Sequence, residues 1–251
     1  MRVFCMLKVS PWWLIIPAAG FGTRMGVARP KQYLALDSRS VLEVTLSRFI
    51  GLPGLQGAVI ALAPDDALAP SLLAHFKDFP VHFTVGGATR SASVRALLHY
   101  VQQQGVDERT QVLVHDAARP CVRRADIEAL LTCAFAVEAG ALLATPVRDT
   151  LKQGDANHTV QATVPRAGVY HALTPQAFAC GLLIQALDFA EQAGCAITDD
   201  ASAVELIGKA PHLVVGHADN IKITHPDDLP LARLILQAQG QWRPGLAPLE
   251  G

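Results

Sequence analysis

Short apolar runs alternate with longer segments of helical periodicity along the first 150 residues. A strand that is covered on both faces is apolar at successive positions, so the runs predict buried strands. These runs lie at 13–18, 57–63, 81–86, 111–116 and 140–147. Between them, apolar residues recur at the spacing of one helix face. The helices that this spacing predicts are 40–50, 65–76, 90–104 and 124–139.

This alternation predicts an α/β fold, a Rossmann-like three-layer αβα sandwich. Strand–helix–strand units connect through right-handed crossovers, which build a mostly parallel sheet with helices on both faces. An open sheet of this kind binds ligands at the carboxyl ends of its strands. We therefore expect the functional groups directly after the apolar runs.

The alternation stops after Val147. The segment 148–168 has Gly, Asp and Asn at its centre, between two polar stretches that bear Thr and Val. This pattern predicts a protruding β-hairpin arm with little apolar surface of its own, for which a second subunit is a natural partner. Helices are expected again at 176–193, after Thr198, and at 226–239.

The pattern predicts a single domain at 12–238, with terminal extensions at 1–11 and 240–251. No apolar run approaches the roughly 20 residues that cross a bilayer, and polar residues interrupt the apolar N-terminus, unlike a signal peptide. The five cysteines are scattered, without a C-x-x-C pair, as in a reducing compartment. The formal net charge of −1 gives no general attraction to nucleic acid or membrane. We expect a cytoplasmic protein that binds neither.

A stretch rich in glycine and cations follows the first predicted strand. It is PAAGFGTRMGVARPKQ, from Pro17 to Gln32. Glycines let backbone N–H groups approach an anion without a Cβ in the way, and Arg24 and Lys31 add full charges. The spacing matches neither the dinucleotide fingerprint nor the P-loop, which disfavours an oxidoreductase or a P-loop hydrolase. A polyphosphate-binding loop accounts for both glycines and cations, whereas a tight turn accounts for the glycines alone.

Seven motifs occur between residue 14 and about residue 235. They are, in order, PAAGFGTRMGVARPKQYL, GGATRSASV, VHDAARPCV, TPVRDTLK, ALTPQAF, ITDDASAVE and NIKITHPDDL. In sequence and in order they resemble the motifs of the 2-C-methyl-D-erythritol 4-phosphate cytidylyltransferases, within the nucleotidylyltransferase superfamily. Seven motifs in one order are a far more specific signal than any of them alone.

The resemblance implies transfer of a cytidylyl group from CTP to methylerythritol 4-phosphate, with release of pyrophosphate, in the non-mevalonate pathway of isoprenoid biosynthesis. Mg²⁺ would be bound mainly through the CTP phosphates, and no protein ligand is assigned to it. An in-line attack on the α-phosphorus would leave positioning and electrostatic stabilisation to the protein. The enzyme would be a homodimer joined through the arm at 148–168.

The resemblance also implies a set of site residues drawn from all the motifs. The catalytic cations would be Arg24, Lys31, Arg166 and Lys222. The nucleotide would contact Ala18, Ala19, Gly20, Phe21, Gly22, Lys31, Gly87, Ser93 and Ala117. The acceptor would contact Asp116, Arg119, Thr150, Arg166, Thr174, Thr198 and Lys222.

Roles for the charged residues follow from the same resemblance. Arg24 and Lys31 would stabilise the transition state. Arg166 and Lys222 would hold the phosphate of the acceptor. Thr150 and Arg166 lie on the arm, from which they would reach the active site of the neighbouring subunit.

Gly87 and Ser93 would form the cytosine pocket, and Asp116 would orient substrate hydroxyls. A purely structural interpretation stays open for each of these residues. Gly87 suits a turn, Ser93 suits the first turn of a helix, and Asp116 could form an ion pair with Arg119 at the rim of the sheet. Thr198 is equally suited to cap a helix.

Two other functions stay open. A cytidylyltransferase for another polyol phosphate, such as ribitol 5-phosphate, would use the same chemistry and the same nucleotide loop. The residues that favour methylerythritol phosphate are Thr150, Arg166, Thr174 and Lys222. A non-catalytic nucleotide-binding protein on the same fold belongs to a different class, and it usually lacks a charged group that this chain retains. Release of pyrophosphate from CTP separates the classes.

Overall fold

The computed structural model of the protein describes residues 10–20, 30–36 and 38–241. The strands are β1 Trp12–Pro17, β2 Leu55–Leu62, β3 Val81–Val85, β4 Gln111–Val114, β5 Ala141–Pro146, β6 Leu151–Gly154, β7 Val160–Val164, β8 Tyr170–Ala179 and β9 His212–Val215. The α-helices are α1 Val41–Ser47, α2 Leu68–Leu73, α3 Arg90–Gln103, α4 Arg124–Ala136, α5 Cys180–Gln192, α6 Asp200–Leu206 and α7 Asp228–Ala238. A 3₁₀ turn occupies Lys31–Tyr33.

The main sheet has seven strands in the order β3-β2-β1-β4-β8-β5-β9. The pairs on both sides of β1, the β2–β3 pair and the β5–β9 pair are parallel. Among the described strands of this sheet, β8 alone runs antiparallel, between β4 and β5. The predicted α/β fold with a mostly parallel sheet is therefore confirmed.

Helices cover both faces of the sheet, and the central strand β1 contributes to both cores. Leu14 and Ile16 pack into the core under α1 and α4, whereas Ile15 packs into the core under α3 and α5. Successive side chains of a strand point to opposite faces, so a strand with two covered faces must be apolar throughout. All three side chains are fully buried.

The predicted start of the helix at 176–193 is wrong. The helix expected from Gln176 begins at Cys180, because Tyr170–Ala179 is strand β8. This strand hydrogen-bonds to β4 on one side and to β5 on the other. Pairing on both edges outweighs the local helical preference of the alanine-containing segment after Pro175. Strand β9, at the edge of the sheet, is an element that the apolar pattern did not predict.

The arm predicted at 148–168 is present as a separate two-stranded antiparallel sheet of β6 and β7. Asp155 closes its turn, because Oδ1 accepts hydrogen bonds from the backbone N–H groups of Asn157 and Thr159, each at 2.9 Å. Most of its side chains are exposed. None of the described helices is long and apolar enough to cross a membrane.

Candidate active site

A cleft of about 720 Å³ opens at the carboxyl ends of β1, β2, β3 and β4. This is the edge at which a parallel sheet presents its ligands. The residues that directly follow these four strands line its walls, together with the 3₁₀ turn and the segment after β9. The predicted site residues that line the cleft are Ala18, Ala19, Gly20, Lys31, Gly87, Ser93, Asp116, Ala117 and Lys222.

Three other predicted contacts cannot be placed. Phe21, Gly22 and the catalytic candidate Arg24 lie outside the described residues. The described residues before and after them, from Ala18 to Gly20 and at Lys31, line the cleft.

The remaining predicted residues fall into two groups. Arg119 and Thr174 lie directly behind the cleft, in contact with Asp116. Thr150 and Arg166 are exposed at the base of the arm, where a guanidinium nitrogen of Arg166 donates to the carbonyl oxygen of Arg148. Within one chain, the structure does not bring this second group to the cleft.

Thr198 is also exposed and precedes α6. The cap of that helix is the next residue, Asp199, whose Oδ1 accepts from the backbone N–H of Ser202 at 2.9 Å. The capping function that either residue could have served therefore falls to Asp199.

Asp116 follows β4 and forms the centre of a charged cluster. Its Oδ2 lies 2.9 Å from Nζ of Lys222 and 3.3 Å from Nε of Arg119, and its Oδ1 lies 3.3 Å from Nε of Arg90. Burial works against the charged carboxylate, but the three cations outweigh it and hold the pKa of Asp116 well below its usual range. Asp116 is thus an ionised acceptor near neutral pH. It makes the predicted ion pair with Arg119 and also lines the cleft.

A buried chain of hydrogen bonds fixes the backbone behind Asp116. Burial lowers the pKa of His115 to about 4, so its ring is neutral. Its Nε2 lies 3.0 Å from the carbonyl oxygen of Arg119 and must donate there, which leaves Nδ1 to accept from the hydroxyl of Thr174 at 3.0 Å. That hydroxyl in turn accepts from the backbone N–H of Asp116 at 3.1 Å. Thr174 therefore positions the predicted acceptor-binding carboxylate.

The turn after β3 explains why glycine and serine occur there. A Cβ on Gly87 would lie 2.4 Å from the Cβ of Ala92, so a larger residue would displace the start of α3. The hydroxyl of Ser93 donates to the carbonyl oxygen of Thr89 at 2.9 Å and accepts from the backbone N–H of Gly87 at 3.1 Å. Ser93 thus shapes the wall of the cleft through this turn, as the structural interpretation expected.

Lys222 lies in a segment without regular secondary structure that neighbouring groups hold in place. Nδ2 of Asn220 donates to the carbonyl oxygen of Thr174 at 2.8 Å. Nζ of Lys31 donates to the carbonyl oxygen of Ile223 at 3.0 Å. The two predicted catalytic lysines therefore border the same side of the cleft.

Arg90 is the residue that sequence reasoning left without a role. It is the first residue of α3, and its Nη1 and Nη2 donate to the two carboxylate oxygens of Asp200 at 3.1 and 2.8 Å. Burial opposes its charge, yet Asp200 and Asp116 raise the pKa of Arg90 above its usual value. Its motif, GGATR, and the motif TDD were both visible in the sequence, but nothing local pairs them.

The cluster as a whole suits an anionic ligand. Arg90, Arg119 and Lys222 bring three positive charges, against the two negative charges of Asp116 and Asp200, and Lys31 lines the same cleft. A concave surface with excess charge of one sign concentrates ligands of the opposite sign. A nucleoside triphosphate and a sugar phosphate both meet this requirement.

Comparisons with known proteins agree with the geometry. Residues 12–238 match the family model described as 2-C-methyl-D-erythritol 4-phosphate cytidylyltransferase. Proteins of that name from Ectopseudomonas mendocina and Hahella chejuensis are 49% and 46% identical, over 88% and 90% of this chain and 93% and 92% of theirs.

Solved structures with the same fold carry equivalent names. A 4-diphosphocytidyl-2C-methyl-D-erythritol synthase superposes with a TM-score of 0.79 at 36% identity, over 90% of this chain and 99% of that one. The Francisella tularensis 2-C-methyl-D-erythritol 4-phosphate cytidylyltransferase gives 0.76 at 33% identity, over 90% and 100%. The chain belongs to the 2-C-methyl-D-erythritol 4-phosphate cytidylyltransferase family.

Proposed function

We propose that this chain transfers the cytidylyl group of CTP to 2-C-methyl-D-erythritol 4-phosphate, giving 4-diphosphocytidyl-2-C-methyl-D-erythritol and pyrophosphate in the non-mevalonate pathway. Family membership supports the reaction. The observation that carries it is the cleft at the carboxyl ends of four strands, in which Lys31 and Lys222 border an ionised Asp116. Positive charge of this kind stabilises the negative charge that develops on phosphate oxygens during phosphoryl-group transfer.

In this proposal the nucleotide lies between the end of β1 and the turn after β3. The backbone at Ala18, Ala19 and Gly20 would hold the triphosphate, together with the side chains of Lys31 and Arg24. The opposite wall, at Gly87, would hold the base. The small side chain of Ala117 lines the cleft and would leave room for the ribose.

The acceptor would lie on the side of Asp116 and Lys222. An ionised carboxylate can only accept hydrogen bonds, so Asp116 suits the hydroxyl groups of a polyol. The ammonium group of Lys222, 2.9 Å away, would hold the acceptor phosphate in line with the α-phosphorus of CTP. Fixing two anionic reactants in one geometry is the main contribution that a protein can make to this reaction.

The family uses a divalent metal ion with CTP, and we propose Mg²⁺ held mainly by the CTP phosphates. The described residues contain no group of three His, Cys, Asp or Glu side chains that could hold a metal ion. In the cleft, the carboxylate of Asp116 is already engaged by three cations. An Mg²⁺ ion that takes its oxygen ligands from the triphosphate and from water needs no such group of protein side chains. When bound, Mg²⁺ neutralises negative charge on the triphosphate.

We also propose a homodimer joined through the arm. Thr150 and Arg166 are exposed at its base, while Val160 on β7 and Tyr170 at the start of β8 are 59% and 38% exposed. Exposed apolar side chains on the hairpin and beside its base favour burial against another subunit. From there Thr150 and Arg166 would enter the partner's cleft.

The four described cysteines are free thiols, in keeping with a cytoplasmic location.

The test is pyrophosphate release with CTP and Mg²⁺, comparing methylerythritol 4-phosphate with ribitol 5-phosphate. We expect strong preference for methylerythritol 4-phosphate. Preference for ribitol 5-phosphate would replace the proposed acceptor and keep the nucleotide half of the site. Folded protein that binds CTP but releases no pyrophosphate with either acceptor would favour the non-catalytic alternative.

A further inference from the structure

The carboxylate of Asp200 is buried behind the cleft wall and faces the charged cluster from the rear. Its side chain is 1% exposed, whereas that of its partner Arg90 is 30% exposed and lines the cleft. Burial raises the pKa of Asp200, and the guanidinium of Arg90 offsets part of that rise. A carboxylate in this position requires a partner, and the two parallel hydrogen bonds from Arg90 supply it.

The position of Asp200 is set by strand β8. Gln176, in the middle of that strand, accepts from the backbone N–H of Ala201 at 2.8 Å and donates to Asp199 at 2.8 Å. Both neighbours of Asp200 are therefore held by one buried side chain. The carboxylate cannot follow Arg90 if the arginine moves.

This arrangement decides how much of Arg90 reaches Asp116. Asp200 engages Nη1 and Nη2, so only Nε faces Asp116, at 3.3 Å. The Oδ2 atom of Asp116 is left to Lys222 and Arg119. If Asp200 did not engage them, Nη1 and Nη2 of Arg90 could also donate to Asp116 or to a phosphate. The guanidinium would then favour a bidentate pair with one of these groups, because bidentate pairing is the stronger geometry.

We propose that Asp200 is a positioning residue, which holds the guanidinium of Arg90 and so keeps the carboxylate of Asp116 available to Lys222 and to the substrate. The inference rests on the proposed function, and it concerns a residue that does not line the cleft. Asp200 acts only through Arg90.

The variant Asp200→Asn keeps the shape of the side chain and removes its charge. Released from one carboxylate, Arg90 would draw Asp116 away from Lys222, and a small misplacement of reacting groups costs about tenfold to a hundredfold in rate. We expect kcat to fall about tenfold or more. The cleft also gains one unit of positive charge, so the Kd for CTP should fall about threefold and the KM for CTP should not rise. A loss of folded protein would lower the apparent kcat without tightening CTP binding.

A double-mutant cycle with Arg90→Gln separates positioning from anchoring of α6. If Asp200 acts through Arg90, Asp200→Asn lowers kcat in the wild-type background but changes it less than about threefold in the Arg90→Gln background. Equal losses in both backgrounds would overturn the proposal. The matched control is Asp188→Asn, which removes an Asp–Arg pair of 2.7 Å with Arg95 on the outer helices and should leave kcat unchanged.

Two further results keep this inference separate from the proposed function. If wild-type protein binds CTP but shows no turnover, the Kd for CTP is measured in the same double-mutant cycle, and an equal change in the wild-type and Arg90→Gln backgrounds overturns the inference. If Asp200→Asn does not fold, Arg90→Lys takes its place, because it keeps the charge and loses the fork that bridges the two carboxylates. Arg90→Lys should then lower kcat about tenfold, and unchanged kinetics would contradict the proposal.

Discussion

The cleft and the arm each carry a part of the proposed site, and the two regions differ in how far the side chains are buried and held by neighbouring groups. Asp116 is 8% exposed, faces three cations, and has its backbone fixed from behind by Thr174. Arg166, on the arm, is exposed, and its guanidinium donates a hydrogen bond to the carbonyl oxygen of Arg148.

This difference shows which side chains of the proposed site are already ordered before substrate binds. In the cleft, one folded chain already holds the charged groups near each other, so little ordering is left for substrate binding. On the arm, Thr150 and Arg166 are exposed, and in the proposed dimer the partner subunit would position them at the expense of their conformational entropy. Changes in the cleft should therefore affect both stability and activity, whereas changes on the arm should affect activity alone.

The largest effect is expected for Asp116→Ala. Removing the carboxylate leaves three cations close together with no anion between them, and it removes the group that would orient the acceptor. We expect kcat/KM to fall about 10²–10³-fold and the Tm to fall by several degrees. Steady-state pyrophosphate release and thermal unfolding measure the two effects. The control is Asp78→Ala, in an exposed turn between α2 and β3, and a stable, fully active Asp116→Ala would contradict the cleft assignment.

The next effect tests the arm. Arg166→Ala should lower turnover about 10²-fold while leaving the Tm unchanged, because the side chain is exposed. A site shared between subunits adds a sharper expectation. Mixing inactive Arg166→Ala with inactive Lys222→Ala should restore about a quarter of wild-type activity, since half of the dimers are mixed and each has one intact site. No recovery after subunit exchange would place Arg166 outside the partner's site.

The smallest effect concerns pH and the support behind Asp116. His115 titrates near 6.5 when unfolded and at about 4 when folded, so the folded state binds fewer protons between these values. Stability is therefore complete above about pH 6.5 and falls by about 3 kcal/mol as the pH drops to about 4. Denaturant unfolding at pH 7, 5.5 and 4.5 measures this slope. The slope should flatten in His115→Gln and persist in His158→Gln on the exposed arm.

The sequence pattern predicted most strands closely, and its failure at β8 has a physical explanation. Residues 176–179 can continue into a helix by local preference, and only the two flanking strands make them part of the sheet. The same limit applies to the site. Glycines after β1 and β3 predicted a ligand-binding loop from the local sequence. The pairing of Arg90 with Asp200 was not predicted, because it joins residues 110 positions apart.

The amino-acid sequence by itself determined the alternation of strands and helices, the edge of the sheet at which the cleft lies, and the motifs of the family. These features are local, because periodicity and glycine content act within a few residues of the chain. Only the tertiary structure decided that Asp116 is shared among Arg90, Arg119 and Lys222, and that Asp200 restrains Arg90 from behind. Charge pairing depends on which helices and loops pack around the end of β4, and no local pattern encodes that packing.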